Sequence, residues 1–436
     1  MMPAPVSTDA TRVMVDHLFR NRAGQMVAYL TRIFGAAHLD LAEEVVQDAL
    51  VKALQQWPFS GIPDNPGGWL FRVARNGALD ALRRHASFRD KAAEIARELS
   101  SAAYDAPDDP PGDDELRMMF MCCHPSLPRD ARVALSLKTV GGFSVPEIAR
   151  AFLTAESAIA QRLVRAKRQI RETGLDLELP GQRAPGSSEA EDGFAARLES
   201  VLEVIYLLFN EGYAAGSGED LVRLDLCGEA LRLGRLVADS PATTAPAAHA
   251  LVALMAFQAA RLPARVDASG ELVLLEDQDR SLWDARLTAL GFHHFGESAE
   301  GPVKTPYHVQ AAIAAVHAGT AEAAHTPWDR ILALYDELLA MTSSPVVALN
   351  RAVALSKVSG PVDALAAIAP LDAEPALAGY YLLPAVKGRL LMEAGDPAGA
   401  AAAYRAALER PCAEPERRFL ISQETRSQEK QEIKRS

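Results

Sequence analysis

An all-α protein is what this sequence predicts, and three observations carry that expectation. Ala, Leu, Arg and Glu dominate the 436 residues while aromatics make up only 6%, a balance that favours helix. Alternating runs of β-branched residues, the mark of strands, are nearly absent. Apolar residues instead recur three and four positions apart, and the pattern breaks at clusters of Pro, Gly and Asp. At 49% hydrophobic residues the chain can bury real cores, and its length suits roughly two to four domains. Four cysteines, two of them adjacent, give no secreted disulfide framework. The N-terminus lacks a cationic stretch followed by an apolar one, and no apolar run reaches the ~20 residues that span a bilayer. A cytoplasmic protein with no membrane association is the expectation.

Residues 10–35 read as one or two amphipathic helices with Val15, Leu18, Met26, Leu30 and Ile33 as core positions. DLAEEVVQDALVKALQQW, residues 40–57, is the next helix. Asp40 can cap it, Glu43 and Glu44 sit where the helix dipole favours anions, and Val45, Ala49 and Ala53 repeat every four residues. Glu44, Gln47, Asp48 and Val51 share its exposed side, an acidic face with an apolar neighbour that suits protein docking. NPGGWLFRVARNGALDALRRH, residues 65–85, then opens on a turn signal and continues as helix. Leu70, Val73, Ala74, Gly77 and Ala81 fall on one side of it, and Arg72, Asn76, Asp80 and Arg83 on the other. Arg75, Arg84, Arg89 and Lys91 make this segment basic inside a chain of formal net charge −12, which calls for an anionic partner or many internal carboxylates.

Residues 86–99 continue helically, and SSAAYDAPDDPPGDDE, residues 100–115, is too polar and Pro-rich to fold and reads as an acidic linker. A second helical module follows over 116–171. Ser144-Val145-Pro146-Glu147 fits a capping box, so a helix should begin there and run to about Ala151. After a turn at Phe152-Leu153-Thr154, a second helix carries Ile159, Leu163, Ala166 and Ile170 as an apolar stripe, with Ser157, Gln161, Arg165 and Arg168 opposite. This is the sequence form of a helix-turn-helix, with a plain helical hairpin as the alternative. Short polar residues at the start of such a helix reach base edges and Arg or Lys farther along neutralises phosphates. Arg162, Arg165, Lys167, Arg168 and Arg171 outnumber Glu156 and Glu172.

GLDLELPGQRAPGSSEAEDG, residues 174–193, reads as a second linker, and helices resume at Phe194. DASGELVLLEDQDRSLWDARL interrupts them as a short turn or strand pair. Gly388, Leu391, Gly395, Ala400, Tyr404 and Ala407 sit at the spacing of a tetratricopeptide helix pair, echoed one repeat earlier by Ala352, Leu355, Ala364 and Ile368. Stacked pairs of this kind present a concave surface suited to a peptide or protein partner. Cys122-Cys123-His124 lacks a second ligand pair at zinc spacing, so a buried packing role is expected and no metal or cofactor is. Glu276, Asp277, Asp279 and Arg280, with Arg261, Arg265 and Asp267 gathered near them, lack a positioned nucleophile or His partner. A salt-bridged loop, or a contact with the N-terminal modules, is expected there rather than an enzyme active site. His293-His294 reads as a surface pair.

DLAEEVVQDALVKALQQW with NPGGWLFRVARNGALDALRR, followed across a linker by LPRDARVALSLKTVGGFSVPEIARAF with ESAIAQRLVRAKRQIR, resembles regions 2 and 4 of bacterial RNA polymerase sigma factors of the extracytoplasmic-function type. LLFNEGYAAG, LVRLDLCGEALRL, LLEDQDRSLWD and YHVQAAIAAVHA resemble the extension of a subgroup with a tetratricopeptide-like C-terminal domain. The resemblance implies region 2 over 8–99, a linker over 100–115, region 4 over 116–173, a linker over 174–193, a helical extension over 194–320 and repeats over 321–424. It further implies that Glu43, Glu44, Gln47, Asp48 and Val51 dock on core RNA polymerase. Asn65, Trp69, Arg72, Arg75, Asn76, Asp80, Arg83 and Arg84 would capture the promoter −10 element as single-stranded DNA. Glu156, Ser157, Gln161, Arg162, Arg165, Lys167 and Arg168 would read the −35 duplex. Leu153 and Ala155 stand where the family usually has a turn Gly and a Ser cap, so Thr154 is expected to cap the reading helix. The subgroup's extension implies a fused intramolecular regulator. The readings from other classes are a DNA-binding regulator acting without polymerase and a repeat scaffold.

Overall fold

The structure, a computed structural model, describes residues 22–84, 112–152, 154–179, 189–213, 223–267 and 270–435. Val15, Leu18, Leu153, the helix expected over 86–99, residues 100–111 of the acidic stretch and residues 180–188 of the second linker lie outside the described residues. The fold is all-α: among the described residues there is no strand, only an isolated bridge between Val266 and Leu272 where a strand pair was one expectation. The chain forms two compact units, Met1–Leu207 and Leu208–Ser436.

The first unit holds α1 (22–34), α2 (Leu39–Ser60), α3 (Pro66–Arg84), α4 (Gly112–Cys122), α5 (Arg129–Thr139), α6 (Val145–Ala151), α7 (Glu156–Thr173) and the start of α8 (Glu189–Tyr213). Met26, Leu30 and Ile33 of α1 are buried as expected. The α2–α3 crossing is close because Gly77 lacks a Cβ, which would lie 2.9 Å from Val45 Cγ1. Trp57, fully buried, meets Trp69 edge-on at 5.4 Å near the turn that joins the two helices. Gly24 lets α1 press on the end of α5, where a Cβ would stand 2.1 Å from the Val140 carbonyl oxygen.

Two expectations change here. The acidic stretch does not stay a linker to residue 115: α4 begins at Gly112, and Asp114 and Glu115 are buried. Arg32 of α1, 3.0 Å from Asp114, supplies the counter-charge, and a carboxylate so paired can enter a core that composition alone would deny it. The second linker is likewise shorter than expected, since α8 begins at Glu189. Phe194 stacks on Phe120 at 6.1 Å, and Arg197 lies over the same ring.

The second unit runs from Leu208 through α9 (Leu224–Asp239), α10 (Pro246–Ala260), α11 (Ala285–Glu297), α12 (Pro306–Ala318), α13 (Trp328–Thr342), α14 (Pro345–Ser359), α15 (Pro361–Ile368), α16 (Leu382–Glu393), α17 (Pro397–Leu408) and α18 (Glu414–Arg435). α10 is apolar on every side, and α9, α11 and α12 pack around it. Pro246–Ala264 is the one helical stretch among the described residues long and apolar enough to cross a membrane, and most of it is buried within this unit. Gly291 admits Phe257 so closely that a Cβ would lie 2.6 Å from the ring. From α13 onward each helix packs on its successor. In the α16–α17 pair Gly388 faces the Tyr404 ring, Gly395 (φ +82°) makes the turn, and Ala400, Tyr404 and Ala407 are buried, as the repeat spacing predicts.

Candidate nucleic-acid interface

Asn65 caps α3: its Oδ1 accepts the Gly68 N–H at 2.7 Å, which fixes where the helix begins. Beyond it Arg72, Asn76, Asp80 and Arg83 are exposed on one face, with Arg83 3.2 Å from Asp80, while Trp69 and Arg75 are half-buried. The Arg84 side chain lies outside the described residues. The result is a polar, donor-bearing face backed by the apolar row Leu70, Ala74, Ala78 and Ala81.

On α2, Glu44, Gln47, Asp48 and Val51 are exposed together, joined by Leu54 and by Phe59 at 85% exposure. Glu43 does not share this face. It turns inward, accepting from Thr139 Oγ1 at 3.2 Å and from Lys167 Nζ at 2.7 Å.

The helix-turn-helix is built as its sequence predicts at the first helix and differently at the second. Ser144 Oγ accepts the Glu147 N–H and the Glu147 carboxylate accepts the Ser144 N–H at 2.8 Å, closing the capping box of α6. α7 is entered through Ala155 in extended backbone, without a side-chain cap, so Thr154 does not fill that role. Ile159, Leu163, Ala166 and Ile170 are all buried, and Gly174 (φ +63°) ends the helix. Glu156, Ser157, Gln161, Arg165 and Arg168 are exposed opposite that stripe. Arg162 is half-buried, 3.6 Å from Asp130.

Lys167 leaves this outer face. Its ammonium lies 2.8 Å from Asp40 and 2.7 Å from Glu43, and Arg171 reaches Asp40 at 3.5 Å. Burial opposes the Lys167 charge, but Glu43 and Asp40 outweigh it and hold its pKa above the ordinary lysine value. This cluster joins helices more than a hundred residues apart, and the only local sign of it is a Lys one position off the predicted reading face.

A second set of contacts was equally silent in the sequence. Ser200 of α8 donates to the Cys123 carbonyl and accepts from Arg132 of α5, and Glu203 lies 2.6 Å from Arg129. Cys122 and Cys123 are fully buried free thiols, and burial pushes the Cys123 thiol up to about 12 despite its contact with Ser136, so it packs rather than reacts.

Comparison with known proteins gives these surfaces a context. Residues 12–88 match the family described as Sigma-70 region 2, and residues 117–170 match Sigma-70, region 4. The chain belongs to the sigma-70 family. Residues 197–299 of this sigma factor match a third family, one of unknown function designated DUF6596. An uncharacterized protein of Rhizobium meliloti (strain 1021) is 40% identical over 397 residues, covering 88% of this chain and 89% of its own. No solved structure matches the chain. Membership gives the sigma factor a role in promoter recognition, with core RNA polymerase and promoter DNA as partners.

Elsewhere in the sigma factor two expectations, for His294 and for Arg261 with Arg265, are replaced, and the salt-bridged loop at Glu276 is met. His294 is not on the surface but 1% exposed, its Nδ1 2.8 Å from that of His249, because α11 buries it beside α10. Glu276 is salt-bridged, by Lys357 at 2.8 Å and Arg389 at 3.0 Å. Arg261 and Arg265 instead hydrogen-bond Tyr213, and Arg265 lies over its ring at 4.1 Å.

Proposed function

We propose that this chain directs RNA polymerase to promoters by dividing the work among three faces. The outer face of α3, with Arg72, Arg75, Asn76, Asp80, Arg83 and Arg84, captures the −10 element as an opened strand, where guanidinium and amide donors meet phosphates and unstacked bases. Asn65 sets the start of that helix and Trp69 lines its edge. Ser157, Gln161 and Arg165 of α7 read the −35 duplex, with Glu156, Arg162 and Arg168 around them. Glu44, Gln47, Asp48 and Val51 of α2 dock on core polymerase. The observation that carries this reading is the clean division of α7, whose apolar stripe is wholly buried while Ser157, Gln161, Arg165 and Arg168 are exposed.

Lys167 and Glu43 belong to these surfaces only when the α2–α7 ion cluster opens, since in the closed form each satisfies the other. The C-terminal extension acts as an intramolecular regulator of initiation. Its α8 is already fastened to the reading module through Ser200 and Glu203, which supports control exerted on that module. The test is transcription in vitro with purified core enzyme on defined promoters, comparing the full chain, Arg165→Ala and a chain ending at Tyr213. Arg165→Ala should weaken initiation selectively where a −35 element is present. Equal initiation by the full and shortened chains would remove the regulatory part, and no initiation by any of them would remove the whole reading.

A further inference from the structure

The extension contains a cavity of about 210 Å³ that the promoter and polymerase surfaces do not use. It opens between the 274–284 loop and helices α12, α13, α14 and α16, all inside the second unit. Its polar lining is lopsided. Arg280, Lys357 and Arg389 contribute three cations, and Glu276 is the one carboxylate among its lining residues. Lys357 and Arg389 share Glu276 between them.

Arg280 has no carboxylate. Its guanidinium is spent on backbone and hydroxyl acceptors: the His317 carbonyl at 2.9 Å, the Thr320 carbonyl, and Thr326 Oγ1 at 3.3 Å. Its Nε is buried without a partner. The His317 side chain, on a residue only 8% exposed, likewise has its Nδ1 buried without a partner. Burial first, then the nearby Arg261 and Arg280, lower its pKa to about 4, so the ring is neutral near pH 7 and can offer one N–H. A half-buried guanidinium without an anion, its Nε buried and unpartnered, beside a buried imidazole nitrogen without a partner is a costly arrangement unless something completes it. The remaining wall is apolar, formed by Leu275, Val353 and the Trp328 ring, which meets His317 edge-on at 5.5 Å.

We propose that this cavity binds a small organic monoanion, an apolar body about the size of a benzene ring carrying a carboxylate that Arg280 and His317 receive. An apolar cavity of roughly 150 Å³ holds benzene, so the larger volume here leaves room for the acid group. The apolar wall disfavours inorganic anions, which have nothing to bury against it. The proposal stands apart from the promoter reading, because binding is measured without polymerase or DNA.

The test is calorimetric titration of the full chain with benzoate, phenylacetate and hexanoate, beside benzamide as the neutral shape-match of benzoate. At least one acid should bind saturably, and benzamide should bind about tenfold more weakly than benzoate or worse. His317→Phe, which keeps the ring volume and removes the nitrogens, should weaken the acid by about tenfold without lowering Tm. Arg280→Lys, which keeps the charge and removes the forked donor, should weaken it as well. No binding by any acid up to about 10 mM, equal binding of benzoate and benzamide, or an undiminished His317→Phe would each overturn the site. Tighter binding of the peptide Ala-Ala-Phe than of any free acid would assign the carboxylate to a chain end and overturn the small-molecule reading.

Discussion

Lys167 is where the chemistry of single residues is most exposed to test. Its partner Glu43 is mostly buried, so Lys167→Ala should leave that carboxylate uncompensated and cost ~1–3 kcal/mol, read as a lower denaturation midpoint. Arg165→Ala, on the exposed face of the same helix, should stay within about 0.5 kcal/mol of the parent, which separates loss of stability from loss of DNA binding. Gly291 is a second such point. With a Cβ 2.6 Å from the Phe257 ring, Gly291→Ala must displace that ring and should destabilise by ~1–3 kcal/mol in thermal melts. Neither residue advertises itself in the sequence. Lys167 sits among Arg162, Arg165 and Arg168, which face elsewhere, and a glycine in a helix reads only as a weak helix former.

At the scale of elements, legibility follows sequence separation. The α6 capping box is four residues wide and was visible in full, as were the buried stripe of α7 and the Gly388–Tyr404 contact of the α16–α17 pair. The start of α4 was not, because Asp114 depends on Arg32, 82 residues away. The same holds for α8, whose middle is held by Cys123, Arg129 and Arg132 of another module. The residues proposed to face the promoter were legible as types on a helix face; that Glu43 and Lys167 neutralise one another was not. α8 also decides where the chain can be cut. A version ending near Gly174 strips away the partners of Arg129 and Arg132, and should aggregate or melt early, whereas one ending at Tyr213 keeps them. Size-exclusion chromatography of the two truncations reads the difference directly.

Over the whole molecule, pH acts on the two units in opposite ways. In the second unit burial lowers the pKa of both His294 and His317 to about 4, below the ~6.5 of an unfolded histidine. The unfolded chain therefore binds more protons, and stability present above about pH 6.5 is lost as pH falls toward 4, by on the order of 3 kcal/mol for each ring. In the first unit the raised pKa of Lys167 makes its contribution complete below the unfolded lysine value and lost as pH climbs through the folded one. Melting followed separately in the two units should show the second failing first on acidification, and His317→Phe should blunt that loss. An unchanged profile in that variant would place the acid sensitivity elsewhere.

The grip of Ser200 and Glu203 on the helix-turn-helix has a consequence for synthesis on the ribosome. The DNA reader is not finished when its own last codon has been translated, because the segment that closes its back arrives later in the message. A nascent chain would reach competence only after α8 has left the exit tunnel, so the order of translation itself delays any premature engagement of a promoter.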